Sequence, residues 1–329
     1  MEKNSSLVSI LIPVYNSEKF LRKALQSVAD QTYSNVEIVI VDDCSKDSSR
    51  KIVTTFFEEY EHIQHKVINN KINQGVSFGR NTLVDNASGE FICFLDSDDY
   101  LEPDFVSYLI GVLTKNNTSM GQCLYFSEEP SGVSVGKTND FASDTTLQGK
   151  NAVFSMLEGK VTGYLWHKIF KRDLFDGIRF DTTLTVFEDY EVIMKMFVNG
   201  ASIAFGNERK YHYIQHASSL TKQSYLKILN RLEYLNRTKS LVSPLIITET
   251  DKEKWAKHSY LVILMVFINA VRYGAPLKDV IGIRRTIDLS YVAKLSKSVS
   301  LKKLSAISLI KVSPYLFYFM LKTAFKIKA

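Results

Sequence analysis

The chain has 329 residues, 45% hydrophobic and 23% charged, which is the balance of an ordinary folded protein with room for one large domain or two smaller ones. Its net charge of +6 belongs to one stretch, since residues 301–329 hold Lys302, Lys303, Lys311, Lys322, Lys326 and Lys328 and no acid. A neutral body with a basic, aromatic tail is unlike a nucleic-acid binder with a basic face, and fits a protein that touches an anionic membrane surface.

The first 126 residues alternate between strand and helix patterns. VSILIPVY (8–15) is an apolar, β-branched run that reads as a buried strand; it is too short for a secretion signal. Ser17 then opens a predicted helix with Phe20, Leu21, Ala24, Leu25 and Val28 on one face. VEIVIVDD (36–43) is a second strand, Ser45 to Glu61 a helix, KVINN (66–70) a short strand and Gly75 to Ala87 a helix. FICFLD follows as a strand, Pro103 to Lys115 as a helix and GQCLYF (121–126) as a strand. Residues 127–150 read as a polar loop, 148–158 and the segment from Glu188 as helices, and 201–213 as a strand. Beyond about residue 222 only helical patterns remain, the most apolar being 258–274. The three cysteines, Cys44, Cys93 and Cys123, are too few for a disulfide framework and suit a reducing compartment. A cytoplasmic location is therefore expected.

Alternating strands and helices at this spacing predict an α/β fold with a mostly parallel sheet flanked by helices. Ligands of such sheets bind beyond the carboxyl ends of the strands. That edge collects Tyr15, Asp42, Asp43, Asp96 and Asp98. In FICFLDSDDY (91–100) apolar residues run straight into Asp96, Ser97, Asp98 and Asp99. A turn with an Asp helix cap before Glu102-Pro103 explains one or two of these acids. Two acidic clusters on one rim suggest a cation or polyhydroxyl site, and Asp-x-Asp can turn two carboxylates toward one hard ion such as Mg²⁺ or Mn²⁺.

In order, VSILIPVYN, VEIVIVDDCSKDSS, NQGVSFGRN and FICFLDSDD resemble the family 2 glycosyltransferases of GT-A fold, of the bacterial surface-polysaccharide type. The likeness continues more weakly through WHKIFKRDLF (166–175), RFDTTLTVFEDYEV (179–192) and YHYIQHASSLT (211–221). The chain departs from the family wording at Cys44, where Gly is common, and at Gly79, where Ala is usual. The resemblance stops near residue 221 and implies a catalytic domain over 1–221; the helical pattern and basic, aromatic content of 222–329 point to a region that touches membrane or oligomerises. The resemblance implies an enzyme that moves a sugar, with inversion, from a UDP-sugar to a hydroxyl of a glycan; the basic, aromatic tail adds the expectation that this glycan is lipid-linked. The resemblance also implies Pro13 and Tyr15 at the base, Asp42 accepting from the uracil N–H, and Asp96 at the ribose. Asp98 would hold Mn²⁺ or Mg²⁺ on the diphosphate, with Arg80 near the phosphates. His216 would contact phosphate. Asp189 of the Glu188-Asp189 pair would be the catalytic base, with Glu188 and Trp166 beside the acceptor.

Other readings stay open on the residues alone. Glu188 and Asp189 equally suit a first helical turn, whose dipole favours acids. Trp166 equally suits a core, and His212 with His216 could be a histidine pair. The stretch 305–325 is long enough to reach across a bilayer, but Lys311, Pro314 and Lys322 interrupt it, which favours an interfacial helix or a packing and dimerising domain. A nucleotidyl or phosphoryl transferase on a similar sheet lacks the Gly-rich phosphate loop, since residues 15–20 hold no Gly. A carbohydrate-binding scaffold would tolerate loss of the acids.

Overall fold

Two of the strands that end at the rim are β1 (Val8–Val14) and β2 (Val36–Asp42), both rich in Val, Ile and Leu, as strands covered on two faces must be. The computed structural model describes residues 6–128, 141, 145–184, 186–215 and 225–326. The chain divides into two units, residues up to 217 without 157–159, and 157–159 with residues from 218 onward.

In the first unit, α1 (Leu21–Ala29), α2 (Ser49–Glu59), β3 (Gln64–Asn69), α3 (Val76–Asn86), β4 (Phe91–Phe94) and β5 (Tyr100–Leu101) follow in chain order. Then come α4 (Phe105–Lys115), β6 (Met120–Glu128), β7 (Thr146–Gln148), α5 (Gly149–Leu157), β8 (Lys168–Lys171), α6 (Glu188–Val198) and β9 (Ser202–Ile214). The sheet runs β3-β2-β1-β4-β8-β6-β9-β5, with β7 on β9. β1, β2, β3 and β4 are mutually parallel, with Val14 opposite Asp42 and Leu11 opposite Phe94. Their carboxyl ends therefore lie on one edge. β8 enters antiparallel between β4 and β6. Ile10, Ile12, Ile38, Ile40, Leu25 and Phe56 are fully buried in the core between sheet and helices. Cys93 and Cys123 are buried free thiols, and burial pushes Cys123 up to about 12.

Two helices start later than the sequence pattern predicts. Ser17 and Ser45 do not open α1 and α2, because both hydroxyls serve loop contacts instead. The helix-cap explanation of Asp96 to Asp99 also fails: these acids lead into β5, and α4 begins only at Phe105.

The second unit is helical among its described residues. It contains α7 (Tyr225–Val242), α8 (Glu249–Arg272), α9 (Leu277–Val280), α10 (Leu301–Val312) and α11 (Pro314–Ala324). The apolar stretch of residues 258–274 is the second half of α8 with two residues more, and Tyr260, Ile263, Phe267 and Val271 form its buried side. Thr248 and Asp251 close a reciprocal capping box at its start. The stretch of residues 305–325 is not one span but two helices broken at Ser313, and no described helix is long and apolar enough to cross a membrane.

Candidate active site

The rim is knitted by hydrogen bonds between the loops that follow β1, β2 and β4. Asn16 N–H donates to Ser45 Oγ at 3.0 Å, and Ser17 N–H to Ser49 Oγ at 2.9 Å. Glu18 N–H donates to Asp47 Oδ2 while Ser48 N–H donates back to Glu18 Oε2, both at 3.0 Å. Ser17 Oγ and Ser97 Oγ lie 2.6 Å apart, joining the β1 loop to the β4 loop. Pro13 is half-buried opposite Val41, and Tyr15 presents a half-exposed ring at the end of β1.

The two acids ending β2 have different roles. Asp42 is buried; its Oδ2 accepts from Arg50 Nε at 2.6 Å and Ser45 N–H at 3.2 Å. Its Oδ1 is buried with no hydrogen-bond partner among the described residues, an acceptor that a ligand N–H would satisfy. Asp43 instead takes Asn70 Nδ2, Gln74 N–H and Gly75 N–H, and so fixes the loop that leads into α3. That loop sets the position of Arg80.

Arg80 is almost wholly buried. Its Nη1 donates to Glu188 Oε1 at 2.7 Å, and its Nη2 lies 3.7 Å from Asp96 Oδ1. Burial opposes its charge, but Asp96, Glu188 and Asp189 outweigh burial and hold it above its ordinary value. Asp96 is pushed up to about 6 by burial, relieved by Arg80 and raised again by Asp98 and Glu188. Asp99 is a scaffold acid: Tyr211 OH donates to its Oδ2 at 2.7 Å and Ile214 N–H to its Oδ1 at 2.8 Å. Of the three acids at this strand tip, Asp96 and Asp98 are the half-buried ones.

Glu188 and Asp189 occupy the first turn of α6, behind Phe187, whose φ of +65° is costly for a bulky residue. Asp189 Oδ1 accepts Tyr190 N–H at 2.7 Å. Burial, then the charge of Glu188, pushes Asp189 up to about 7, against the pull of Arg80. A carboxyl poised there can take a proton near neutral pH.

Sequence reasoning missed Arg50, Lys168 and Tyr164. Lys168 is fully buried, and its Nζ donates to Thr162 O at 3.0 Å, Thr162 Oγ1 at 3.1 Å and Tyr164 O at 2.6 Å. Burial draws it down to about 7, with Asp189 opposing. It fixes the loop at 162–164, where a Cβ on Gly163 would meet Tyr190 Cδ2 at 2.6 Å, one residue from Asp189. Trp166, expected beside the acceptor, is a core ring: it stacks on Tyr211 at 4.6 Å and Tyr213 at 5.5 Å and meets Tyr125 edge-on at 4.7 Å. Its large apolar surface is better placed away from water. Tyr164, stacked over it at 5.2 Å and 46% exposed, is the ring that reaches solvent.

His216 lies outside the described residues. His212 is held at both ring nitrogens, each 2.6 Å from a carboxylate oxygen of Glu128 or Glu102, and its ring sits between Tyr100 and Phe126. Among the described residues no group of three or more His, Cys, Asp or Glu could hold a metal.

The family described as glycosyl transferase family 2 matches residues 9–178, more than half of the chain. The chain belongs to that family. It is 33% identical to the Bacillus subtilis protein EpsH, named for glycosyltransferase activity, over 67% of this chain and 64% of EpsH, so it spans just under two thirds of that relative. Its fold is the GT-A fold. Staphylococcus aureus TarS 1–349, solved with UDP-GlcNAc, aligns with a TM-score of 0.59 at 20% identity, over 94% of this chain and 91% of that one. Mannosyltransferase PcManGT from Pyrobaculum calidifontis, solved with GDP-Man and Mn²⁺, gives 0.56 at 15% identity, over 97% and 84%.

Proposed function

We propose that this chain is a metal-dependent, inverting glycosyltransferase that moves a sugar from a UDP-sugar to a hydroxyl of a glycan acceptor in bacterial surface-polysaccharide assembly. The observation that carries the reading is the meeting of the strand-tip acid Asp96 and the helix acid Glu188 on one buried guanidinium, Arg80. Asp42, with its unsatisfied buried Oδ1, receives the uracil N–H, and Tyr15 lies against the base. Asp96 faces the ribose. Arg80 and His216 serve the diphosphate side.

One or two carboxylates sharing an ion with phosphates and water is how Mg²⁺-type ions are commonly held, and the half-buried Asp96 and Asp98 at one strand tip fit such a donor set. Asp98 would hold Mn²⁺ or Mg²⁺, which supplies positive charge for the departing diphosphate. Asp189 takes the acceptor's hydroxyl proton as that oxygen bonds to the anomeric carbon and the bond to the diphosphate breaks, releasing UDP. Glu188 holds Arg80 and raises Asp189. Tyr164, rather than the core ring of Trp166, offers the exposed face for an acceptor sugar. A lipid-linked acceptor at the inner face of the cell membrane belongs to the same reading, supported by the lysine-rich tail.

Calorimetry with UDP, GDP and dTDP, with Mn²⁺ and then with chelator, tests it. Metal-dependent UDP binding that is lost in Asp98→Asn is the expected result. Release of pyrophosphate or phosphate in place of UDP would instead mark a nucleotidyl or phosphoryl transferase.

A further inference from the structure

We infer that one face of α11 is a membrane-docking surface that lies flat in the interface of an anionic lipid bilayer. On this helix Tyr315, Leu316, Phe319 and Met320 are 51, 53, 57 and 53% exposed. They fall at positions i, i+1, i+4 and i+5, which is one side of an α-helix. The opposite side is spoken for: Pro314, Phe317 and Tyr318 are buried, with Phe317 against Phe267 and Tyr318 OH donating to Ala275 O at 3.1 Å. The exposed side is therefore not a core face that the helical unit itself covers. Aromatic and long aliphatic side chains on one rim of a helix are what the boundary between headgroups and acyl chains accepts.

Charge chooses the occupant. Lys322 lies over the Tyr318 ring at 5.7 Å and Arg272 over the Phe325 ring at 4.8 Å, so cations edge this helix. Lys326 follows it on an exposed turn. Residues 301–329 hold six lysines and no acid. A second copy docked on the same face by a two-fold axis would set lysine against lysine without a counter-charge from either tail. Anionic headgroups supply that counter-charge. Length excludes spanning: α10 and α11 have 12 and 11 residues, and a helix of this size reaches about 17 Å against a hydrocarbon core of about 30 Å.

This inference stands apart from the transferase reading, whose test is nucleotide binding. Flotation of the full chain with phosphatidylcholine vesicles, with and without phosphatidylglycerol, tests it. Binding should require the anionic lipid and fall with salt. Leu316→Glu with Phe319→Glu should weaken it at least about tenfold, and Lys322→Gln and Lys326→Gln by about fivefold each. UDP binding and melting temperature, unchanged in the variants, confirm the fold. Equal flotation of the double variant, or no flotation of the native chain, overturns the inference. So does a dimer in light scattering that the double variant disperses while neither form binds vesicles, which would assign the face to a second copy.

Discussion

Arg80 Nη1 stands 2.7 Å from Glu188 Oε1, an ion pair between a buried guanidinium on α3 and a half-buried carboxylate on α6, 108 positions apart in sequence. The same guanidinium reaches Asp96 at the tip of β4. Acids that serve different steps of the proposed reaction, donor binding and proton removal, thus share one charge network. A change at either end is felt at the other.

Replacing Arg80 with Met should therefore cost more than a donor contact. It leaves Asp96, Glu188 and Asp189 crowded without their cation, and stranding buried carboxylates costs about 3 kcal/mol. The deficit should be largest at high pH, where Asp96 and Asp189 are ionised, and shrink as pH falls toward about 6, because without the cation both take up protons at higher pH. Urea unfolding of both forms at pH 8 and pH 5.5 checks this. A pH-independent deficit would mean that packing, not charge, is what Arg80 supplies.

The base should show itself in the pH profile. Asp189 is raised to about 7 and, as the proposed base, would act only when ionised, so kcat/KM should rise with pH and level off above about 7. Asp189→Asn should lose at least about a thousandfold in turnover and keep UDP binding. Glu188→Gln removes a negative neighbour and releases Arg80 toward Asp189. Both effects stabilise the carboxylate, so the rising limb should move to lower pH. A limb that stays in place would separate Glu188 from the base.

The raised carboxyls also set how the proposed divalent ion should affect the stability of the fold. Between the ordinary carboxylate range and about 7 the folded chain binds more protons at Asp96 and Asp189 than the unfolded chain does. These groups therefore make the fold less stable as pH rises through that window. On the proposed reading Mn²⁺ with UDP would relieve the same repulsion, in competition with protons. The rise in melting temperature on adding Mn²⁺ and UDP should be larger at pH 8 than at pH 6, and absent in Asp98→Asn. An equal rise at both pH values would place the ion away from these acids.

The rim was legible because its cause is local: long apolar strands end abruptly in acids, and parallel pairing brings their ends to one edge. What each acid does was not legible. Asp43 and Asp99 look like Asp42 and Asp98 in sequence, yet they hold the 70–75 loop and the end of β9, because loop geometry decides where a carboxylate points. Lys168 reads as one more surface lysine in WHKIFKR, since the four residues of β8 are too short to reveal that its start is buried. That strand also gives no periodic sign of its antiparallel direction. The late starts of α1 and α2 share one reason: serines that would cap a helix bond to neighbouring loops.

The two departures from family wording have opposite physical meaning, and stability separates them. Cys44 has φ of +64°, the left-handed region where a side chain is strained and glycine is free. Its thiol offers weak compensation, donating to Lys71 O at 3.4 Å and accepting from Lys46 Nζ at 3.2 Å. Cys44→Gly should therefore stabilise the fold by about 0.5–1 kcal/mol. Gly79 lies inside α3, where a Cβ would meet only Val41 Cγ1, at an ordinary 3.9 Å. Gly79→Ala gains helix propensity without a clash and should add about 1 kcal/mol. The sites are on different elements, so the effects should add. Chemical denaturation of the two single variants and the double variant measures this. A destabilised Cys44→Gly would show that the thiol's contacts outweigh the backbone strain.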